Sequence, residues 1–89
     1  MAVCKRVHYR GTVQGVGFRM TTRRIARQYA VTGYVRNLPD GQVELVVAGQ
    51  ADEIERFLGE VAAKMSAYLE GHRIQDEPQQ IFDDFEIRT

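Results

Sequence analysis

Hydrophobic and polar positions alternate along residues 5–13. Val7, Tyr9, Gly11 and Val13 fall on one side, and Arg6, His8, Arg10 and Thr12 on the other. Period two is that of a half-buried strand. From Arg19 to Ala30 the spacing changes to steps of three and four, through Phe18, Thr22, Ile25, Ala26 and Tyr29 with arginines between them. This predicts an amphipathic helix of about three turns. Val31-Thr32-Gly33-Tyr34-Val35 is a β-branched and aromatic run that reads as a second strand. Leu38-Pro39-Asp40-Gly41 is a turn signal, and it joins that strand to a third over residues 42–48 in a hairpin. Val43, Leu45 and Val47 point one way there, and Gln42, Glu44 and Val46 the other. Gly49 is expected to close the strand.

Residues 52–65 carry Ile54, Phe57, Leu58, Val61 and Met65 on one helical stripe, with Asp52, Glu53 and Glu55 at the start, where the helix field favours acids. Residues 72–77 read as a possible short edge strand. Residues 82–88 read as the last strand, with Phe85 and Ile87 inward. The order β-α-β-β-α-β is the split βαβ, ferredoxin-like α+β plan. It places two helices on one face of a mostly antiparallel sheet of four or five strands. Right-handed crossovers set the first and third strands side by side at its centre. The opposite face is expected to lie open to water.

At 89 residues the chain is expected to form one domain, 1–89. Its single cysteine, Cys4, excludes an internal disulfide framework and cannot hold a metal alone. With neither a long apolar run nor a signal-peptide pattern, a cytoplasmic protein without a membrane partner is expected. Net charge is zero but unevenly placed. Residues 1–39 hold eight Lys and Arg and no acid; residues 40–89 hold four against all twelve Asp and Glu. Either the first half meets an anionic partner, or the halves neutralise each other and Arg23, Arg24 and Arg27 form a solvated helix face.

The segment from Gly11 to Arg19 carries the sharpest chemical signal. Gly15 and Gly17 let the backbone curl with its N–H groups inward. A helix start adds unpaired N–H donors and partial positive charge. Arg19 adds a planar cation with several donors. Gln14, Gly15, Val16, Gly17, Phe18 and Arg19 thus read either as a candidate cradle for a tetrahedral oxyanion such as a phosphoryl group or as a glycine turn that only connects strand to helix. The chain has no Gly-Lys pair, which excludes a Walker A loop. Met20 stands where a dinucleotide fingerprint needs its third glycine, and Val35-Arg36-Asn37-Leu38 lacks the acidic residue expected downstream.

Gly11-x-Val13-Gln14-Gly15-Val16-Gly17-Phe18-Arg19 resembles the first signature of the acylphosphatases. Gly33-Tyr34-Val35-Arg36-Asn37-Leu38-x-x-Gly41-x-Val43-Glu44 resembles the second, and Phe85-Glu86-Ile87-Arg88 is similar to the family's C-terminal strand. Residues 66–83 match weakly. The resemblance implies hydrolysis of acyl phosphates to carboxylate and inorganic phosphate, with no cofactor, no metal and no covalent phosphoenzyme. It implies two key side chains, Arg19 and Asn37. Chemical reasoning agrees. An acyl phosphate is a mixed anhydride with a good carboxylate leaving group, so positioning, charge neutralisation and an aimed water suffice. The loop amides and Arg19 serve the first two needs, and a carboxamide can hold a water.

Other candidates are thin. Gln14 can meet phosphate through its backbone or its side chain. Thr12 and Thr22 can support the loop, the water or only packing. His8 reads as a surface histidine, and His72 is too isolated to assign. Asp83 and Asp84, adjacent in the expected strand, point opposite ways and cannot form an acid–base pair. An RNA-binding module of the same topology would display aromatics on its central strands, and Val43-Glu44-Leu45-Val46-Val47 has none, so no nucleic-acid partner is expected. A non-catalytic acyl- or carbamoyl-phosphate-binding or regulatory domain is the remaining alternative. The family's domain also occurs fused to a larger carbamoyl-transfer protein. With the sequence ending at Thr89, a stand-alone monomeric hydrolase is expected.

Overall fold

The computed structural model describes residues 2–89. Its elements run β1 (Ala2–Gly11), α1 (Phe18–Ala26), β2 (Val31–Asn37), β3 (Val43–Gln50), α2 (Ala51–Lys64), β4 (Leu69–Asp76) and β5 (Phe85–Arg88). The sheet order is β4-β1-β3-β2-β5. Every neighbouring pair is antiparallel except β2–β5, which is parallel. This is the ferredoxin-like plan, with β1 and β3 adjacent as expected, and the edge strand is present as a fifth strand. No helix among the described residues is long and apolar enough to cross a membrane.

The core lies between the sheet and the two helices. Val7 and Tyr9 of β1, Val35 of β2, Val43, Leu45 and Val47 of β3 and Phe85 of β5 meet Phe18 and Ile25 of α1 and Ile54, Phe57 and Val61 of α2. Alternation along each strand sends these residues to one face. The stripe of α2 then covers that face.

Several boundaries move. Helix α1 ends at Ala26, not Ala30. The next turn is tighter: the Gln28 and Tyr29 N–H groups donate to the Ile25 and Ala26 carbonyls. These three-residue steps keep the helical spacing of side chains, so periodicity alone overextends the helix. Gly49 lies inside β3 rather than ending it, paired with Val3 and Val31. Strand β1 ends at Gly11, where its register against β4 shifts, so Thr12 and Val13 leave the sheet. The last strand begins only at Phe85. The Asp83–Asp84 pair precedes it, with the Asp84 carboxylate accepting the Phe85 N–H.

The second sheet face is not open to water throughout. The segment before β5 crosses it and sets Phe82 edge-on to Tyr34 at 6.0 Å, closing a small apolar cluster of Cys4, Tyr34, Val46 and Ala48. The Arg88 guanidinium stacks on the Tyr34 ring at 4.1 Å. Beside this cluster the buried Glu44 accepts from Arg6, from Arg36 at 2.7 Å and from the Tyr34 hydroxyl at 3.1 Å. Arg6 also donates to Glu77 at 2.6 Å. Burial of Val46 and Ala48 is what turns this face from solvent.

Candidate active site

The loop between β1 and α1 holds two left-handed residues, Gly15 at φ 79° and Gly17 at φ 78°. A side chain at either position strains the backbone, so the glycines set the path of the loop. Gly17 is the N-cap of α1 and supplies no side-chain cap. The first main-chain bond of the helix runs from the Thr21 N–H to the Gly17 carbonyl at 2.9 Å. The N–H groups of Phe18, Arg19 and Met20 therefore have no helical acceptor.

The charge of this helix start is unusual. The first turn of α1 has no acid, whereas that of α2 carries Asp52 and Glu53. A cation at Arg19 opposes the helix dipole, which favours negative charge there. Local propensity is violated where a bound anion would reverse the balance.

Two contacts fix this loop against the C-terminal end of β2. The Gln14 side-chain amide donates to the Leu38 carbonyl at 2.8 Å and to the Gln42 carbonyl at 2.9 Å. These close the hairpin turn, in which the Leu38 N–H also donates to the Gln42 carbonyl. At the other end of the loop, Arg19 Nη1 reaches the Arg88 carbonyl at 3.4 Å. Arg88 lies opposite Arg36 in the β2–β5 register, one residue from Asn37. Arg19 and Asn37 thus belong to one end of the sheet. Asn37 is two residues beyond the core residue Val35, so alternation turns it to the helix-covered face.

Free bonding capacity collects here. The contact from Arg19 is long for a hydrogen bond, and no carboxylate pairs with Arg19 among the described residues. The buried Asn37 Oδ1 has no hydrogen-bond partner, an acceptor position that costs stability unless a ligand or water fills it. Thr22, fully buried one turn into α1, has an unpaired hydroxyl.

Of the residues expected at the site, Gln14 is the one whose side chain is committed elsewhere. Its amide nitrogen holds the hairpin turn, which leaves its backbone to the loop. Thr12 donates its N–H to the Tyr68 carbonyl and supports the loop's entry. His8 lies on the far face, half-buried, with Nε2 3.6 Å from Glu44. His72 packs near the Tyr9 ring at 6.0 Å on edge strand β4. The anchoring role of Gln14 was not readable, because a contact across 24 residues leaves no mark on local spacing.

The charge asymmetry resolves in two ways. Lys5, Arg6 and Arg36 pair with carboxylates of the second half of the chain. Arg10, Arg19, Arg23, Arg24 and Arg27 have no ion-pair partner among the described residues.

Comparison with known proteins addresses the chain as a whole. The acylphosphatase family model matches residues 5–87. An acylphosphatase of Archaeoglobus fulgidus is 37% identical over 82 residues, covering 91% of this chain and 92% of the relative. Among solved structures, an acylphosphatase from Coxiella burnetii superposes with a TM-score of 0.88 at 32% identity, covering 98% of this chain and 93% of that one. T. kodakarensis HypF matches with a TM-score of 0.83 at 33% identity, over all of this chain but 12% of that one. With the family's pattern spanning β1 to β5 and the fold superposing throughout, the chain belongs to the acylphosphatase family.

Proposed function

We propose that the chain hydrolyses acyl phosphates at the β1–α1 loop. The phosphoryl group lies against the N–H groups of Gln14, Gly15, Val16, Gly17, Phe18 and Arg19, with the Arg19 guanidinium neutralising its equatorial oxygens. Asn37 Oδ1 accepts a hydrogen bond from the attacking water and aims a lone pair at phosphorus. As the water oxygen bonds to phosphorus, the bond from phosphorus to the acyl oxygen breaks. The carboxylate leaves with that electron pair, and the water's protons pass to phosphate or solvent. A carboxylate leaves without a proton, so the site needs no general acid, and its residues need no metal to neutralise the phosphoryl charge.

The observation that carries this reading is the double anchor of Gln14 on the Leu38 and Gln42 carbonyls. It ties the anion cradle to the strand end bearing the unpartnered Asn37 acceptor. The alternative, a domain that binds the phosphoryl group without turning it over, draws on the match to HypF. The test is a turnover assay with benzoyl phosphate and simple phosphate esters, with and without a chelator. Rapid release of phosphate from benzoyl phosphate alone, unaffected by chelator, supports the proposal. Binding without turnover supports the alternative, and equal cleavage of esters indicates a general phosphatase.

A further inference from the structure

Arg10 and Arg73, two cations without ion-pair partners among the described residues, stand on the sheet face away from the helices. His8 and Arg10 of β1, Gln42 before β3, and His72 and Arg73 of β4 line a cleft of about 270 Å³. In register, His8 sits opposite Arg73, and Arg10 opposite Gly71. The missing side chain at Gly71 makes room for Arg10: a Cβ there would come within 2.5 Å of the Arg10 Nη2. The guanidinium therefore lies over Gly71 of the neighbouring strand. Neither Arg10 nor Arg73 has an ion-pair or hydrogen-bond partner among the described residues. His8 Nδ1 is buried and unpartnered. The carboxylate closest to His8, Glu44, is already engaged by Arg6 and Arg36.

Like charges gathered without a counter-ion repel each other, and a buried ring nitrogen without a partner costs free energy. One ligand relieves both. We propose that this cleft is a second oxyanion site, for phosphate or a phosphomonoester, distinct from the β1–α1 loop. Two guanidiniums supply charge-assisted donors, and the Gln42 side-chain amide and a His8 ring N–H supply further ones. The paired strands β1 and β4 and the residue leading into β3 hold the set. The inference goes beyond the hydrolase reading and holds whether or not the loop is catalytic. It also touches that loop: the Gln42 carbonyl is an acceptor for Gln14. An anion held by the Gln42 side chain sits one residue's main chain from the loop's anchor.

The test is calorimetric titration of the whole chain with inorganic phosphate. Wild type should bind two phosphates and Arg19→Ala one. Arg10→Gln with Arg73→Gln changes two exposed positions and should leave the fold and benzoyl phosphate turnover intact. That pair should weaken the second binding event at least about tenfold, the scale for losing charge-assisted hydrogen bonds. Glycerol 2-phosphate in place of phosphate separates the sources: tighter binding of the ester marks a group borne on an organic molecule, and tighter binding of phosphate marks a free ion. The proposal is overturned if the paired variant binds phosphate as wild type does, or if wild type binds a single phosphate that Arg19→Ala abolishes. Unchanged binding by Arg19→Ala alone would count against the loop reading, and the paired variant would still decide the cleft.

Discussion

The side-chain amide of Gln14 donates to the main-chain carbonyl of Leu38 across 2.8 Å. A residue of the β1–α1 loop thereby closes on the turn that follows β2, and the Gln42 carbonyl takes the second donor proton. Gln14→Ala removes both bonds. The expected loss is about 1–2 kcal/mol, roughly 5–10 °C in Tm for a domain of this size. Turnover should fall by more than that stability loss explains, because the cradle and Asn37 no longer share a fixed frame. Gln14→Glu should be worse, since a carboxylate would face two carbonyl oxygens. Thermal melts beside steady-state kinetics check both.

The glycines separate into two kinds. A Cβ on Gly15 meets nothing within 4 Å, so Gly15→Ala should cost only the strained backbone angle, about 1–2 kcal/mol, and leave a folded, slowed protein. A Cβ on Gly33 would lie 1.9 Å from the Val46 carbonyl oxygen across the sheet. Gly33→Ala should therefore break the β2–β3 pairing and yield unfolded or insoluble protein. Circular dichroism and urea unfolding distinguish the two outcomes.

Acid should loosen the far sheet face through Glu44. Burial pushes its carboxyl up, but the hydrogen bonds from Arg36 and Tyr34 and the charge of Arg6 outweigh that and hold it below its ordinary 4.5. A carboxyl depressed in the fold binds fewer protons there than in the unfolded chain. Its contribution is full above pH 4.5 and is lost as the pH falls from there through its lower folded value. Glu44→Gln should cost about 1–3 kcal/mol at pH 7, with the gap to wild type closing as the pH approaches 3. Urea unfolding at both pH values measures it. A gap that stays constant with pH would contradict the assigned cause.

Periodicity made β1 and α2 legible, because each turns one apolar side to the core; the Leu38–Gly41 turn marked the hairpin, and crossover handedness set β1 beside β3. The Gly15 and Gly17 loop was legible as well, since the left-handed backbone there restricts residue choice. Two features were not. The segment through Phe82 covers the second face, yet Phe82 stands three residues before Phe85, out of phase with it, and a strap without regular structure has no period to read. The Gln14 anchor joins segments far apart in sequence, and a glutamine is equally at home on any surface. What remained hidden was long-range placement, which joins the β1–α1 loop to the turn that follows Asn37.

The proposed hydrolysis divides its labour between Arg19 and Asn37. The direct measurement is benzoyl phosphate turnover beside inorganic phosphate affinity for wild type, Arg19→Ala and Asn37→Ala. Arg19→Ala should lose about 10²–10³ in rate and also weaken phosphate binding, whereas Asn37→Ala should lose turnover while phosphate affinity stays near wild type. Wild-type turnover in either variant, or an Asn37→Ala protein that loses phosphate binding in step with rate, would contradict the account.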